Sequence, residues 1–118
     1  MTRQRKPPPH NYFKARHRPG KMNQTEAAYA RQLEIRQHLN EITGWWFEAL
    51  KLRLADNTFY TPDFLVQAAD GVLELHEVKG VWTDDARVKI KVAAALYPFR
   101  FLAIKKGRRN EGWQVEKF

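Results

Sequence analysis

The fold is decided by residues 61–80, which read TPDFLVQAADGVLELHEVKG. Asp70-Gly71 is typical of a tight turn between two strands. Side chains alternate across a strand, so the strand predicted at 72–79 has one apolar face that ends in Glu77 and Lys79. Two opposite charges at the end of an apolar face either form a partly buried ion pair or lie at the edge of a cleft.

A second carboxylate lies before the turn. Asp63 follows Pro62, and a proline inside a strand is normally found only at an edge or a distortion, which can re-aim the next side chain. Asp63 lies seven residues before the Asp70-Gly71 turn and Glu77 lies six residues after it, so a hairpin brings the two carboxylates level. Carboxylates at close range raise each other's pKa unless a cation separates them.

This pair of carboxylates predicts a magnesium site. Mg²⁺ binds one or two protein carboxylates together with substrate phosphate oxygens and water. Mn²⁺ is expected to substitute for it, and no small-molecule cofactor is expected. In this arrangement Asp63 and Glu77 bind the metal, and Lys79 orients or deprotonates the attacking water. His76 falls on the opposite strand face and is interpreted as a satisfied surface or second-layer histidine.

The remaining pattern predicts one α/β domain with a mixed sheet flanked by helices, in the order α-β-β-β-α-β-β. A first helix runs from Asn23 to about Asn40 and presents Glu26 on its core-facing side. A second helix over 86–96 is capped by Asp84 or Asp85. Its predicted apolar face contains Val88, Val92, Ala95 and Leu96. The predicted strands cover 45–54, 58–66, 72–79, 99–104 and 113–116.

Charge is concentrated at the N-terminus. The chain of 118 residues has a net charge of +8, and residues 1–21 hold seven of its 21 Lys and Arg with no acidic residue. Residues 1–22 are therefore predicted to form a flexible basic arm, separate from a domain over 23–118. A polyanion is the natural partner of such an arm, and a solubilising leader is the alternative.

Composition narrows the classes of protein further. The chain has no cysteine, which excludes disulfides and thiolate catalysis and is typical of a reducing, intracellular setting. No apolar run is long enough for a membrane span, and the N-terminus lacks an apolar signal core. We therefore expect a soluble, cytoplasmic protein with no membrane partner.

Three stretches carry a family resemblance: NQTEAAY at 23–29, LRLADNTFYTPDF at 52–64 and HEVKG at 76–80. Pro62-Asp63 followed by Glu77-Val78-Lys79 resembles the PD-(D/E)XK nuclease superfamily. Within it, the chain is most similar to small phage-encoded endonucleases related to phage endonuclease I and other Holliday junction resolvases. The resemblance implies a restriction-endonuclease-like fold over about 23–106, Mg²⁺-dependent DNA cleavage, and a homodimer, encoded by a phage or prophage. It also implies that Glu26 is a further metal ligand and that the carbonyl of Val78 completes the metal shell.

The residues predicted to contact DNA are all basic, and they are suited to binding phosphates rather than to distinguishing bases. They therefore favour recognition of DNA shape over sequence. The predicted contacts are Lys89 and Lys91 on the second helix, Lys105, Lys106, Arg108 and Arg109 in a basic turn, and Arg16, Arg18 and Lys21 in the arm. Three alternatives stay open: nicking or end-processing of unbranched DNA, an RNA substrate, and a non-catalytic nucleic-acid-binding or assembly protein.

Overall fold

A computed structural model gives the structure of residues 20–118, so most of the predicted arm, including Arg16 and Arg18, lies outside the described residues. Neither helix in the described part is both long and apolar enough to cross a membrane. The elements in chain order are α1 (Gln24–His38), β1 (Ile42–Phe47), β2 (Leu52–Ala55), β3 (Thr58–Tyr60), β4 (Phe64–Ala68), β5 (Leu73–Lys79), α2 (Asp84–Leu96), β6 (Arg100–Lys106) and β7 (Trp113–Lys117).

Helix α1 begins with a reciprocal cap. The Asn23 side chain accepts a hydrogen bond from the backbone N–H of Glu26 at 2.8 Å, and the Glu26 carboxylate accepts one from the Asn23 N–H at 2.9 Å. The helix ends before Asn40, whose φ of 62° lies in the left-handed region. The predicted core-facing side is confirmed, since Glu26, Tyr29, Ala30 and Leu33 are buried.

A mixed sheet of five strands forms the centre of the fold, in the order β1-β4-β5-β6-β7. Only β5 and β6 are parallel, and α2 makes the crossover between them. One apolar cluster includes residues of α1, and the other includes residues of α2 and of the β2–β3 hairpin. Strand β6 contributes Leu102 and Ile104 to the first cluster and Phe101 and Ala103 to the second, as alternation requires. The predicted α/β class with a mixed sheet and two helices is confirmed.

The predicted element order differs from the observed one because two of the expected strands each divide. The strand expected at 45–54 breaks at Glu48, whose φ is 51°, and the strand expected at 58–66 breaks before β4 at Pro62, which has no N–H to donate. The segments between these breaks, β2 and β3, pair with each other in a separate two-stranded sheet. Their turn contains Asn57, with a φ of 53°.

The prediction for the second helix is wrong in its cap and in its buried face. Thr83 is the N-cap, and its hydroxyl accepts a hydrogen bond from the Ala86 N–H at 3.2 Å. Ile90 and Ala93 are the buried residues. The helix is apolar on two opposite sides, so composition alone does not tell which side meets the core. The side predicted to be buried is exposed: Val88, Val92, Ala95 and Leu96.

Candidate active site

Asp63 is held in place just before β4. It is 6 % exposed. Its carboxylate oxygen Oδ2 accepts a hydrogen bond from the backbone N–H of Val78 at 2.8 Å, and its carbonyl accepts one from the Glu48 N–H at 2.8 Å. The irregular backbone at Pro62 therefore turns the Asp63 side chain toward β5, as the sequence predicts.

Glu77 lies on β5, at the end of the apolar face predicted from the alternation of the strand. Its carboxylate accepts a hydrogen bond from the Tyr60 hydroxyl at 2.8 Å, and the Lys79 ammonium lies 3.5 Å from its other oxygen. Glu77 is 8 % exposed, whereas the Lys79 side chain is 42 % exposed. The site therefore has a buried carboxylate and a cation that reaches solvent.

Tyr60 was not predicted as a site residue. It lies at the end of β3, it is buried in the α2-side cluster, and its hydroxyl reaches the Glu77 carboxylate. No alternation pattern could have found it, because β3 belongs to a separate two-stranded sheet rather than to the strand expected at 58–66. The only sequence signal was a hydroxyl-bearing aromatic residue three positions before Asp63.

The two carboxylates are electrostatically crowded. Burial, followed by the negative charge of Glu77, raises the pKa of Asp63 to about 9, and the Val78 N–H and the Lys79 ammonium only partly oppose this. Burial also raises the pKa of Glu77, although Lys79 and Tyr60 favour its ionised form. One ammonium group does not neutralise two ionised carboxylates, so the pair is stabilised by a bound proton or by a further cation.

Glu26 is associated with the Asp63–Glu77 pair less directly than predicted. Its carboxylate is buried, and its charge contributes to the raised pKa of Asp63. However, one of its oxygens accepts the Asn23 N–H in the cap of α1. The structure therefore brings Glu26 within electrostatic reach of the pair but gives it a helix-capping bond of its own.

The donors of the site match what a hard cation binds. Within residues 20–118, no group of three Asp, Glu, His or Cys side chains is arranged to hold a metal ion. Two carboxylates without a third protein ligand still fit Mg²⁺, which takes few protein oxygens and keeps several waters. Val78 directly follows Glu77 in the sequence, and its N–H donates to the Asp63 carboxylate. The role expected for its carbonyl stays a prediction.

A second polar network lies on the opposite face of β5. Buried His76 is within 2.7 Å of the Tyr29 hydroxyl through Nδ1 and within 2.9 Å of the Glu74 carboxylate through Nε2. Because a carboxylate only accepts, Nε2 carries the proton and Tyr29 donates to Nδ1. Arg100 donates to the other Glu74 oxygen at 2.9 Å. His76 is therefore a satisfied structural residue, as predicted, and Arg100 is not free to join the basic turn.

The described basic residues that are predicted to contact DNA are exposed and lie in three places. Lys105 and Lys106 end β6, and Lys105 is paired in the sheet with Lys79. The turn after β6 therefore leaves the sheet at the same end as the candidate site. Lys89 and Lys91 are exposed on α2, and Lys21 is exposed before α1. Arg108 and Arg109 are exposed in the turn itself.

Comparison with known proteins adds no relative to this picture. No protein-family model matches the chain, and neither a curated protein nor a solved structure matches it.

Proposed function

We propose that this chain is a Mg²⁺-dependent endonuclease that hydrolyses phosphodiester bonds in DNA. One observation carries the proposal: Asp63 and Glu77, two buried carboxylates from neighbouring segments of one hairpin, share a site with the half-exposed ammonium of Lys79. An uncompensated buried carboxylate pair costs stability, and a divalent cation with a phosphate ligand would remove that cost.

The residues of the site divide the chemistry among them. Asp63 and Glu77 would hold the metal, with the Val78 carbonyl and Glu26 as further candidate ligands. When bound, Mg²⁺ supplies charge stabilisation for the phosphate and makes a bound water more acidic. The Lys79 ammonium, 3.5 Å from Glu77, can orient the attacking water and offset the charge that develops on the phosphate. Tyr60 donates to Glu77 and so fixes its orientation.

The arrangement of elements supports a restriction-endonuclease-like fold. Without the β2–β3 hairpin, the helices and the strands of the central sheet follow one another as α-β-β-β-α-β-β. This agrees with the resemblance to the PD-(D/E)XK superfamily in Pro62-Asp63 and Glu77-Val78-Lys79. The finer family assignment stays part of the proposal.

The preferred substrate is branched DNA. The exposed cations of β6, α2 and the turn are suited to phosphates and carry no pattern for reading bases. One chain offers one site and thus one cut, whereas resolving a junction requires two cuts. We therefore propose a homodimer with two sites.

The test compares two identical changes on the same strand. Glu77→Gln should lower Mg²⁺-dependent cleavage of a four-way DNA junction by about 10²- to 10³-fold, because it removes one of the two metal-binding carboxylates. Glu74→Gln, three residues away on the other face of β5, should retain cleavage. Cleavage is followed by gel electrophoresis with Mg²⁺, with Mn²⁺ and with EDTA, and folding of each variant is checked by circular dichroism.

Three outcomes would refute parts of this proposal. If Glu77→Gln and Asp63→Ala both cut as well as the wild type, the assigned site is wrong. If pure wild-type protein binds DNA but cuts neither DNA nor RNA with any divalent metal, a nucleic-acid-binding protein is the better description. Equal cutting of linear and four-way DNA would leave a nuclease but remove the preference for junctions.

A further inference from the structure

A cavity of about 330 Å³ opens between α1 and the turn that joins β6 to β7. Its walls include three cationic residues, Lys106, Arg108 and Arg109, the indole of Trp113, and Ala28 from α1. Its volume lies in the lower part of the range of roughly 300–1,000 Å³ that is usual for small-ligand pockets. None of the candidate catalytic residues lines it.

The turn that forms one wall of this pocket is well defined by its own hydrogen bonds. The Gly107 N–H donates to the Gly112 carbonyl at 2.8 Å, and the Glu111 N–H donates to the Arg108 carbonyl at 2.8 Å. The Glu111 carboxylate accepts the Arg108 N–H at 2.9 Å. A Cβ at Gly107 would collide with the Gly112 carbonyl oxygen, so the closure of the turn requires glycine at this position. The arginines of the turn therefore start from a fixed backbone.

The cations of the pocket have no carboxylate partner within residues 20–118. In the part of the chain that the structure describes, Lys106, Arg108 and Arg109 form no ion pair. By contrast, Arg87 forms a double ion pair with Glu116, and Arg100 pairs with Glu74. Three unpaired cations around one cavity attract an anion with several oxygens, such as a phosphate.

Trp113 adds an aromatic surface to these cations. It is paired with Lys106 across β6 and β7, and it packs against Tyr29 with 5.1 Å between ring centroids in an edge-to-face arrangement. Tyr29 in turn is fixed by its hydrogen bond to His76. A fixed indole beside several cations is suited to a ligand that carries both a flat ring and a phosphate, which is the chemistry of a nucleotide.

The pocket and the candidate active site lie at the same end of the sheet, with the pocket on the α1 side and Glu77 on the α2 side. Lys105 is paired with Lys79 across the parallel strands, and Ala28 is two residues after Glu26 on α1. Both therefore border the end of the sheet at which β5 and β6 finish.

We propose that this pocket holds one unpaired nucleotide of the DNA strand that is cut. This inference rests on the proposed nuclease function and specifies its substrate class. The cations hold the phosphate of the nucleotide, and Trp113 packs against its base. A base inside an intact duplex is stacked and paired and cannot enter, whereas bulges, flaps and branch points present bases that are free to enter. The pocket thus selects DNA structure without reading sequence.

The test measures binding without cleavage. Fluorescence anisotropy in EDTA compares the full-length protein on two labelled duplexes, one intact and one with a single bulged thymidine. We expect the wild type to bind the bulged duplex about tenfold more tightly, in line with the usual contribution of one stacked base. Ala28→Leu should fill the pocket and bring the two affinities together. Ala27→Leu is the matched control, because it adds the same side chain one residue away, outside the pocket, and should retain the preference.

A second variant covers the case in which Ala28→Leu does not fold. Arg108→Gln combined with Arg109→Gln changes only exposed residues, and it should also remove the preference for the bulged duplex. The proposal is overturned if the wild type binds both duplexes equally, or if a folded pocket variant keeps the full preference.

Parallel cleavage assays distinguish this inference from the nuclease proposal. If Glu77→Gln abolishes cleavage but the wild type ignores the bulge, the pocket inference fails and the nuclease proposal stands. If the wild type prefers the bulge and the pocket variants do not, yet no DNA is ever cut, the pocket binds an unpaired nucleotide but the nuclease proposal fails, and with it the assignment of that nucleotide to a strand that is cut.

Discussion

Each face of β5 carries a buried glutamate, but the pKa of Glu74 is lowered and the pKa of Glu77 is raised. On the α1 side, Glu74 accepts from both His76 and Arg100, and the pKa of Glu74 is lowered, first by its hydrogen bond to His76. On the α2 side, Glu77 faces a second carboxylate, and burial raises the pKa of both. Each buried group of the first network has a complementary partner, whereas within residues 20–118 the two carboxylates of the second site share one ammonium group, that of Lys79.

This difference distinguishes a structural network from a binding site. A buried polar network that is fully satisfied stabilises the fold and has no need of a ligand. A buried site with uncompensated charge lowers stability and gains from a ligand of opposite charge, which is why strongly shifted pKa values concentrate at functional sites. Alternation along a single strand is enough to keep the two environments apart.

The largest expected effect is on the stability of the metal-free protein. The pKa of Asp63 is raised to about 9, so its contribution to stability is present at low pH and is lost as pH rises from about 4 toward 9. Asp63→Asn replaces the carboxyl group, whose ionisation burial disfavours, by a neutral amide and keeps an oxygen that can accept the Val78 N–H. At pH 8 in EDTA, we expect it to raise the free energy of unfolding by on the order of 2–4 kcal/mol. Urea unfolding at several pH values measures this.

Glu74→Gln on the other face should change stability in the opposite direction. It weakens the bonds to His76 and Arg100 and should lower the free energy of unfolding by about 1–3 kcal/mol. Mg²⁺ should stabilise the wild type and not Asp63→Asn. If both variants shift stability in the same direction at pH 8, the contrast between the two faces is wrong.

The same substitution, Tyr to Phe, can be made on each face of β5, at Tyr60 beside Glu77 and at Tyr29 beside His76. Tyr60→Phe removes the hydroxyl that donates to Glu77, and we expect apparent Mg²⁺ affinity in the cleavage assay to fall about 10- to 100-fold. Tyr29→Phe removes the donor to buried His76 and should lower the free energy of unfolding by about 1–3 kcal/mol with cleavage largely retained.

A Mg²⁺ titration of cleavage and urea unfolding are both carried out on each tyrosine variant. The interpretation fails if Tyr29→Phe changes the Mg²⁺ requirement as much as Tyr60→Phe does.

The smallest expected effect concerns the protonation of His76. Burial lowers its pKa below the usual 6.5, so the unfolded chain binds a proton more readily than the folded one. The stability from neutral His76 is therefore present above about pH 6.5 and is lost as pH falls toward the lowered pKa. His76→Gln removes this titration and should change the dependence of unfolding free energy on pH by about 1 kcal/mol between pH 6.5 and pH 5.

The comparison of His76→Gln with the wild type is essential in this experiment. Asp63 and Glu77 titrate with the opposite sign over the same range, and their contribution is common to both proteins. Identical pH profiles of the two proteins would contradict the assignment of a lowered pKa to His76.

Much of the site was predictable because its signals are local. The turn at Gly71, with a φ of 90°, and the alternation of β5 were both readable from the sequence. The cap and buried face of α1 were readable too, since they depend on residues within two helical turns. Pro62 correctly marked the distortion that directs Asp63 toward β5.

The parts that could not be predicted depend on tertiary contacts. Nothing in the apolar pattern of 45–54 shows that Glu48 adopts a left-handed backbone and ends β1. Helix α2 has two apolar sides, and only the neighbouring strands decide that Ile90 rather than Val88 is buried. Tyr60 reaches Glu77 only because the divided strands fold into a hairpin of their own, so its contact depends on a break that the pattern does not predict.

The candidate active site and the pocket differ in how far apart their residues lie along the chain. The difference arises because β5 and β6 are parallel and need a crossover between them. Asp63 and Glu77 are joined by a short antiparallel hairpin, so little chain entropy is lost when they meet. The pocket instead requires Ala28 to meet residues 106–113, which must first cross over through α2. Local loosening of the turn over 107–112 would therefore weaken recognition while the carboxylate pair stayed intact.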